Sequence, residues 1–476
     1  MKRTVVLDVV GLTPALLRDA PHLAAFARRA GGARSLVPSL PAVTCAVQAS
    51  MVTGAAPREH GIVGNGWYLR DLAEVALWKQ SNHLVGGAKL WDEARARNPA
   101  FRCAKLFWWF NMYSSADISV TPRPIYAADG LKVPDIYTNP PELRVELTRR
   151  FGRFPLFDFW GPRAGIRSSE WIARCARHVF DVHEPTLTLV YLPHLDYDLQ
   201  RFGPDDPRAR ASVRSIDAVC GEVIEHVERD GGHVIVVSEY GITPVDRPVH
   251  VNRVLREAGL LRVREELGTE KLDPGASDAF AVADHQVAHV YVRRRDLIDE
   301  VRVLLVGLDG VERVLDDDGK REVGLDHPRA GELVAVAESN AWFTYYFWKD
   351  DRRAPDYART VDIHRKPGYD PVELFVDPSL RFPALRMGMR LAQKALGMRY
   401  LMDVVPLDAT LVRGSHGRLP DDPQEGPLVM SSAPELLASG AVDASEVKSL
   451  ITSHVFGRLE PDLRLTSRAR ASGARG

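Results

Sequence analysis

The chain has 476 residues, 45% hydrophobic and 26% charged, a globular composition that excludes a disordered or fibrous protein. Lysine and arginine number 62 against 63 acids, a formal net charge of −1, so no global basic field favours nucleic acid. No stretch approaches the ~20 apolar residues of a membrane span, and the length exceeds what one core sustains; two domains, or one large domain with an insertion, are expected.

Met-Lys-Arg at the N-terminus leads into the apolar run Thr4–Leu7, which Asp8 breaks too early for a signal peptide. The run reads as a buried parallel strand ending on Asp8. Thr13-Pro14 opens a helix to about Ala30, stopped by Gly31-Gly32, and a second helix is predicted from Thr44 to Thr53-Gly54. Residues 68–174 are rich in aromatics and prolines, among them Trp108, Trp109 and Trp160, and are expected to form an inserted cap over the sheet's carboxyl edge. Thr186–Leu192 is a further apolar strand, closed by Pro193-His194-Leu195-Asp196. A long amphipathic helix, Pro207–Glu228, follows. His233–Val237 is a third strand, ending in Ser238-Glu239-Tyr240-Gly241, and Ala279–Val292 contains a later one. An irregular aromatic insertion lies near 340–370.

Strands alternating with helices predict an α/β fold: a mostly parallel central sheet with helices on both faces, its core formed by 1–67 and 175–456. The tail 457–476, basic from Arg464 onward, reads as a disordered, solvated segment. Four scattered cysteines form no CxxC pair, which points to reduced thiols and a cytoplasmic setting.

In a doubly wound sheet, ligands bind beyond the carboxyl ends of the strands. Asp8, Asp196 and Glu239 each end a strand here. A single strand-end acid is usually a turn residue, but three converging carboxylates repel unless cations lie between them. Thr44 at a helix N-terminus is by itself an ordinary cap. The same free N–H groups and dipole also suit a phosphate, and a nearby metal would turn the hydroxyl into a nucleophile.

The run Pro38-Ser39-Leu40-Pro41-Ala42-Val43-Thr44, followed by Val52-Thr53-Gly54 and Glu59-His60-Gly61-Ile62-Val63-Gly64-Asn65, resembles the nucleophile segment of the alkaline phosphatase superfamily, type I phosphodiesterase/nucleotide pyrophosphatase branch. Thr44 stands nine residues before the threonine of Thr53-Gly54, as in that branch. Asp8, Asp196 with Gly203-Pro204, Ser238-Glu239-Tyr240-Gly241 and Gly414-Ser415-His416-Gly417 resemble its other motifs. The resemblance implies an alkaline phosphatase-like fold and two metal ions, zinc by likeness. Asp8, Thr44 and the Glu239-Tyr240 pair would hold one ion; Asp196, position 200 and His416 would hold the other. It further implies a phospho-threonine intermediate at Thr44 and a small phosphorylated substrate; the balanced charge and the lack of an apolar span set the expectation of no nucleic acid and no membrane partner.

The departures lie in the metal cage. Glu239-Tyr240 replaces Asp-His, Gln200 replaces a histidine, and Val47 replaces an asparagine. Zinc favours imidazole, so Glu239 and Tyr240 suit iron or manganese better. His194, His285 and His289 are candidate substitutes. For His285, next to Asp284, ligand and structural roles both stay open; His289, alternating within a strand, reads as a core histidine. Cys45 lacks the Cys-x-Pro-x-Arg context of a sulfatase, and no GxxxxGK[ST] loop is present. The expected function is metal-dependent hydrolysis of a phosphodiester, pyrophosphate or phosphomonoester. Its rivals are a phosphomutase or phosphonate hydrolase on the same fold, and an altered member that only binds a phosphorylated ligand.

Overall fold

The computed structural model describes residues 1–128 and 131–457. A nine-stranded sheet runs in the order Val442–Asp443, Arg34–Val37, Leu428–Ser431, His233–Val237, Thr4–Val9, Leu187–Leu192, Cys103–Leu106, Ile118–Pro122, Ile136–Asn139. The five strands from His233–Val237 to Ile118–Pro122 are parallel, and antiparallel pairings flank them. Alternate residues of the central strands enter opposite cores, which is why these strands carry apolar side chains on both faces. Val5, Leu7, Val190, Val234 and Val236 pack with Phe26, Ile172 and Ile216 from helices on one side. Val6, Leu189 and Ile235 pack with Val47, Met51, Trp91 and Ile451 from helices on the other.

The helix predicted from Thr13 to Ala30 is two pieces, a 3₁₀ turn Pro14–Asp19 and an α-helix Pro21–Arg29. Pro21 has no N–H to continue the ladder, so it restarts the helix instead. The helix Thr44–Thr53 ends on Gly54 in the left-handed region.

The boundary drawn at 68–174 does not follow the sheet. Cys103–Leu106, Ile118–Pro122 and Ile136–Asn139 are three of the nine central strands, so that stretch is not a cap in its entirety. A second, four-stranded antiparallel sheet is built from Ala279–Asp284, Val287–Val292, Leu333–Ala337 and Val311–Leu315. It shares a separate core with Trp342, Phe343, Tyr345, Tyr346, Phe347 and Trp348, so the aromatic stretch near 340–370 packs against this second sheet. Gly457 closes the final helix, Val447–Phe456; the rest of the tail segment lies outside the described residues.

Candidate active site

Three carboxylates gather at the carboxyl edge of the parallel strands. Asp8 sits near the end of Thr4–Val9, in register with Val237, and Glu239 follows two residues later in the adjacent strand's exit. Asp196 lies in the first turn of the helix His194–Phe202, which leaves the strand on the other side of Asp8's. The helix Thr44–Thr53 presents its first residue, Thr44, to this group.

The contacts form one connected network. Gln48, one helical turn after Thr44, donates from Nε2 to Asp8 Oδ2 at 2.9 Å and to Glu239 Oε1 at 2.6 Å. Its Oε1 accepts from the backbone N of Trp109 at 2.8 Å. The Tyr240 hydroxyl donates to Asp196 Oδ1 at 3.2 Å and lies 3.2 Å from Thr44 Oγ1. Having one proton, and giving it to Asp196, the phenol accepts from Thr44. Gln200 donates to Asp196 Oδ2 at 2.7 Å and accepts from the Tyr369 hydroxyl at 3.0 Å.

His416 Nδ1 lies 2.9 Å from Ala42 O. A carbonyl only accepts, so Nδ1 carries the proton and Nε2 keeps its lone pair, 3.8 Å from Asp196 Oδ1. His416 reaches this point because Gly414 lets the chain pass close to its neighbours: a Cβ there would lie 2.2 Å from Leu199 O. Four rings then stack in a column. Tyr240 and His416 are 3.5 Å apart, His416 and His285 3.7 Å, and His285 and Tyr369 3.7 Å.

Burial shapes the charges. It pushes the Asp8 carboxyl up to about 6, opposed by hydrogen bonds with Glu239 and then Gln48, and that of Asp196 up to about 7, opposed by those from Gln200 and Tyr240. Glu239 is raised further, by burial first and by the facing Asp8 second. Burial lowers both His285 and His416, so their imidazoles are neutral. Three buried atoms of this group have no hydrogen-bond partner: Asp8 Oδ1, Glu239 Oε2 and His416 Nε2. All three are lone-pair donors, and buried acceptors left unpaired are costly. This donor set fits a cation.

The structure thus brings Asp8, Thr44, Asp196, Glu239, Tyr240, His416 and His285 into one network. Both oxygens of Asp284 accept from Asn65, at 2.8 and 3.0 Å, and Oδ1 also accepts from His285 Nδ1 at 2.8 Å. Asn65 in turn holds the backbone N of Cys45 at 3.0 Å, so Asp284 and Asn65 clamp the start of the Thr44 helix. His289 is satisfied at both ring nitrogens, by Val63 O and Gly331 N. Val47 points into the sheet core, away from the site. His60 binds Ser50 Oγ at 3.0 Å and the Ile62 N at 3.1 Å, a turn-holding role.

Gln48 and Tyr369 were not singled out from the sequence, and Asn65 was quoted only within the nucleophile-segment likeness, with no role of its own. Gln48 carried a signal: at four residues beyond Thr44 it shares that residue's helix face. A separate group able to hold a metal is Glu146, His178 and His183, whose ligand atoms lie within 4.8 Å of one another. His183 ends the helix leading into Leu187–Leu192, which places this group at the opposite, amino edge of the sheet.

Comparison with known proteins identifies the family and the fold. The family model for type I phosphodiesterase / nucleotide pyrophosphatase matches residues 4–370. An uncharacterised pyrophosphatase/phosphodiesterase of Schizosaccharomyces pombe is 26% identical over 236 residues, 47% of this chain and 41% of its own length. Human ectonucleotide pyrophosphatase/phosphodiesterase family member 7 is 23% identical over 239 residues, 48% of this chain and 45% of its own. The matched regions thus span less than half the length of these relatives. Phosphonoacetate hydrolase from Sinorhizobium meliloti, solved with phosphonoformate, superposes with a TM-score of 0.60 at 15% identity, over 95% of this chain and 96% of that one. Murine ectonucleotide pyrophosphatase/phosphodiesterase 5, an inactive threonine-to-alanine variant in complex with AMP, superposes at 0.56 and 13%, over 97% and 96%. The chain belongs to the type I phosphodiesterase/nucleotide pyrophosphatase family, a family of hydrolases.

Proposed function

We propose that this protein hydrolyses a phosphate ester of a small molecule, with Thr44 as the nucleophile. The observation that carries the reading is the chain Thr44–Tyr240–Asp196 at a helix N-terminus, beside two further buried carboxylates. Thr44 Oγ1 attacks phosphorus while its proton passes to the Tyr240 oxygen, and the Tyr240 proton passes to Asp196. Asp196, which already accepts the Tyr240 hydrogen bond, is the carboxylate in line to take that proton. The P–O bond to the leaving alcohol or phosphate breaks, leaving a phospho-threonine that water then cleaves. The N–H groups at the start of Thr44–Thr53 other than that of Cys45, which Asn65 holds, would receive the phosphoryl oxygens.

Asp8, Glu239 and Thr44 would hold one cation, and Asp196 and His416 the other, with Gln200 beside them. Bound there, a cation supplies Lewis-acid stabilisation of the phosphoryl oxygens. The oxygen-rich set of Asp8, Glu239 and Thr44 favours manganese or iron at the first position over the zinc that likeness implies. The organic part of the substrate would lie against Trp78 and Trp160, whose rings are 6.0 and 5.6 Å from that of Tyr369, and Trp109, 4.8 Å from Trp78.

The test is turnover of p-nitrophenyl phosphate, bis-p-nitrophenyl phosphate and AMP-releasing dinucleotides by the metal-loaded protein. Thr44→Ala is expected to lose at least about a thousandfold in kcat with an unchanged melting temperature. Full activity in that variant removes Thr44 as nucleophile, and no turnover with any divalent or ferric ion removes the hydrolase reading. Phosphonoacetate belongs in the same panel because a hydrolase of that compound shares the fold. Cleavage of it alone would move the reaction to a phosphorus–carbon bond.

A further inference from the structure

Away from the active site, residues 378–403 leave the body of the protein and return to it. The base of the excursion is closed by Asp377 N donating to Val404 O at 2.7 Å. Its centre is the helix Pro383–Ala395, in which no residue is buried. At 100° per residue, Phe382, Leu385, Met389 and Leu396 fall within an arc of about 60°. These four side chains are 61%, 62%, 58% and 76% exposed. Arg386, Arg390 and Lys394, four residues apart, form the adjacent face. Met398, Tyr400 and Leu401 extend the exposed apolar surface beyond the helix.

The charge is one-sided. Between Asp377 and Asp403 stand Arg381, Arg386, Arg390, Lys394 and Arg399, and no acid. Asp403 pairs with Arg386 and Arg390 at the base. Among the described residues, Arg381, Lys394 and Arg399 meet no carboxylate; Arg381 and Lys394 lie over the rings of Phe382 and Tyr400.

We infer that this excursion docks the protein on an anionic lipid surface, lying in the interface with its apolar arc toward the acyl boundary and its cations among the phosphates. Charge decides between the candidate occupants. A second copy would set five cations against five. The chain's own C-terminal segment, 458–476, brings five arginines and two acids, again the same sign. A bilayer supplies both the apolar phase and the opposite charge. This departs from the sequence reading, which weighed only membrane spans and global charge. The helix is too short and too polar to span, and among the described residues no helix is long and apolar enough to cross a membrane.

The experiment is co-sedimentation of the full chain with vesicles of phosphatidylcholine alone, and of phosphatidylcholine with about a third phosphatidylglycerol, at low and high salt. The proposal expects at least about tenfold stronger binding to the anionic vesicles, weakened by salt, and the loss of that gain in the double variant Leu385→Asp, Met389→Asp. Both side chains are exposed, so far-ultraviolet circular dichroism of the variant should match the parent. A second variant, Arg381→Glu with Lys394→Glu and Arg399→Glu, should lose binding while keeping the apolar arc. Absence of binding to anionic vesicles overturns the proposal, as does equal binding by the Asp variant. A dimer in sedimentation equilibrium that the Asp variant dissociates, without vesicle binding by the parent, would assign the surface to a second copy instead.

Discussion

Lys105 is 1% exposed, yet it belongs to the central strand Cys103–Leu106. Its ammonium reaches the Phe110 carbonyl at 3.0 Å and lies over the Trp91 ring, and among the described residues it meets no carboxylate. Burial lowers it to about 7. A lysine whose folded value falls below its unfolded value of about 10.4 costs stability where the unfolded chain still holds the proton. That cost is full below about 7 and vanishes above about 10.4. Lys105→Met is therefore expected to stabilise the protein by about 1–2 kcal/mol near pH 6, with the gain shrinking as the pH approaches 10. Melting curves of the pair from pH 6 to 10 check this; a gain that does not fall with pH would show that the charge is not what the site resists. The residues of the candidate site were more readable than Lys105. Asp8, Asp196 and Glu239 could be found because strand ends are where such sheets bind ligands. Gln48 was hidden because a buried amide has no chemistry of its own to advertise; its meaning comes from the two carboxylates it bridges.

Among the elements, the short strand Gly414–Ser415 shows how backbone placement sets side-chain chemistry. It pairs with Thr243–Pro244 and carries His416 to the edge of the site. A methyl group at 414 would collide with Leu199 O at 2.2 Å and Ile242 Cγ2 at 2.7 Å. Gly414→Ala should displace His416 and lower kcat by about 10- to 100-fold, with a smaller loss of stability than a core cavity causes. An unchanged kcat would mean that His416 tolerates the shift or takes no part. The long strands and the helices Thr44–Thr53 and Pro207–Arg229 were legible because apolar runs and caps announce them. Cys103–Leu106 and Ile118–Pro122 were not: each is short, one holds a lysine, and aromatic loops surround both. The hairpin Ala279–Asp284 and Val287–Val292 reads as one apolar run, since its turn is only His285-Gln286, with His285 in the left-handed region at φ 62°.

For the molecule as a whole, the unpartnered atoms Asp8 Oδ1, Glu239 Oε2 and His416 Nε2 tie ion binding to folding. An ion held by the native state alone stabilises it by RT ln(1 + [L]/Kd), about 2.7 kcal/mol at a hundredfold excess over Kd. Chelation should lower the melting temperature, and manganese should restore it in a concentration-dependent way. Identical melting of chelated and manganese-loaded protein would mean that these donors hold no ion. The sheet that carries the donors also sets a schedule. Thr4–Val9 is its central strand, but its two neighbours are Leu187–Leu192 and His233–Val237. On the ribosome, at about 5–20 residues per second, the first strand waits about ten to forty seconds for the earlier of its partners to be made. Through that interval one of the most apolar strands of the protein is a nascent chain with nothing to pair with, and it is then that a holding chaperone has most to protect.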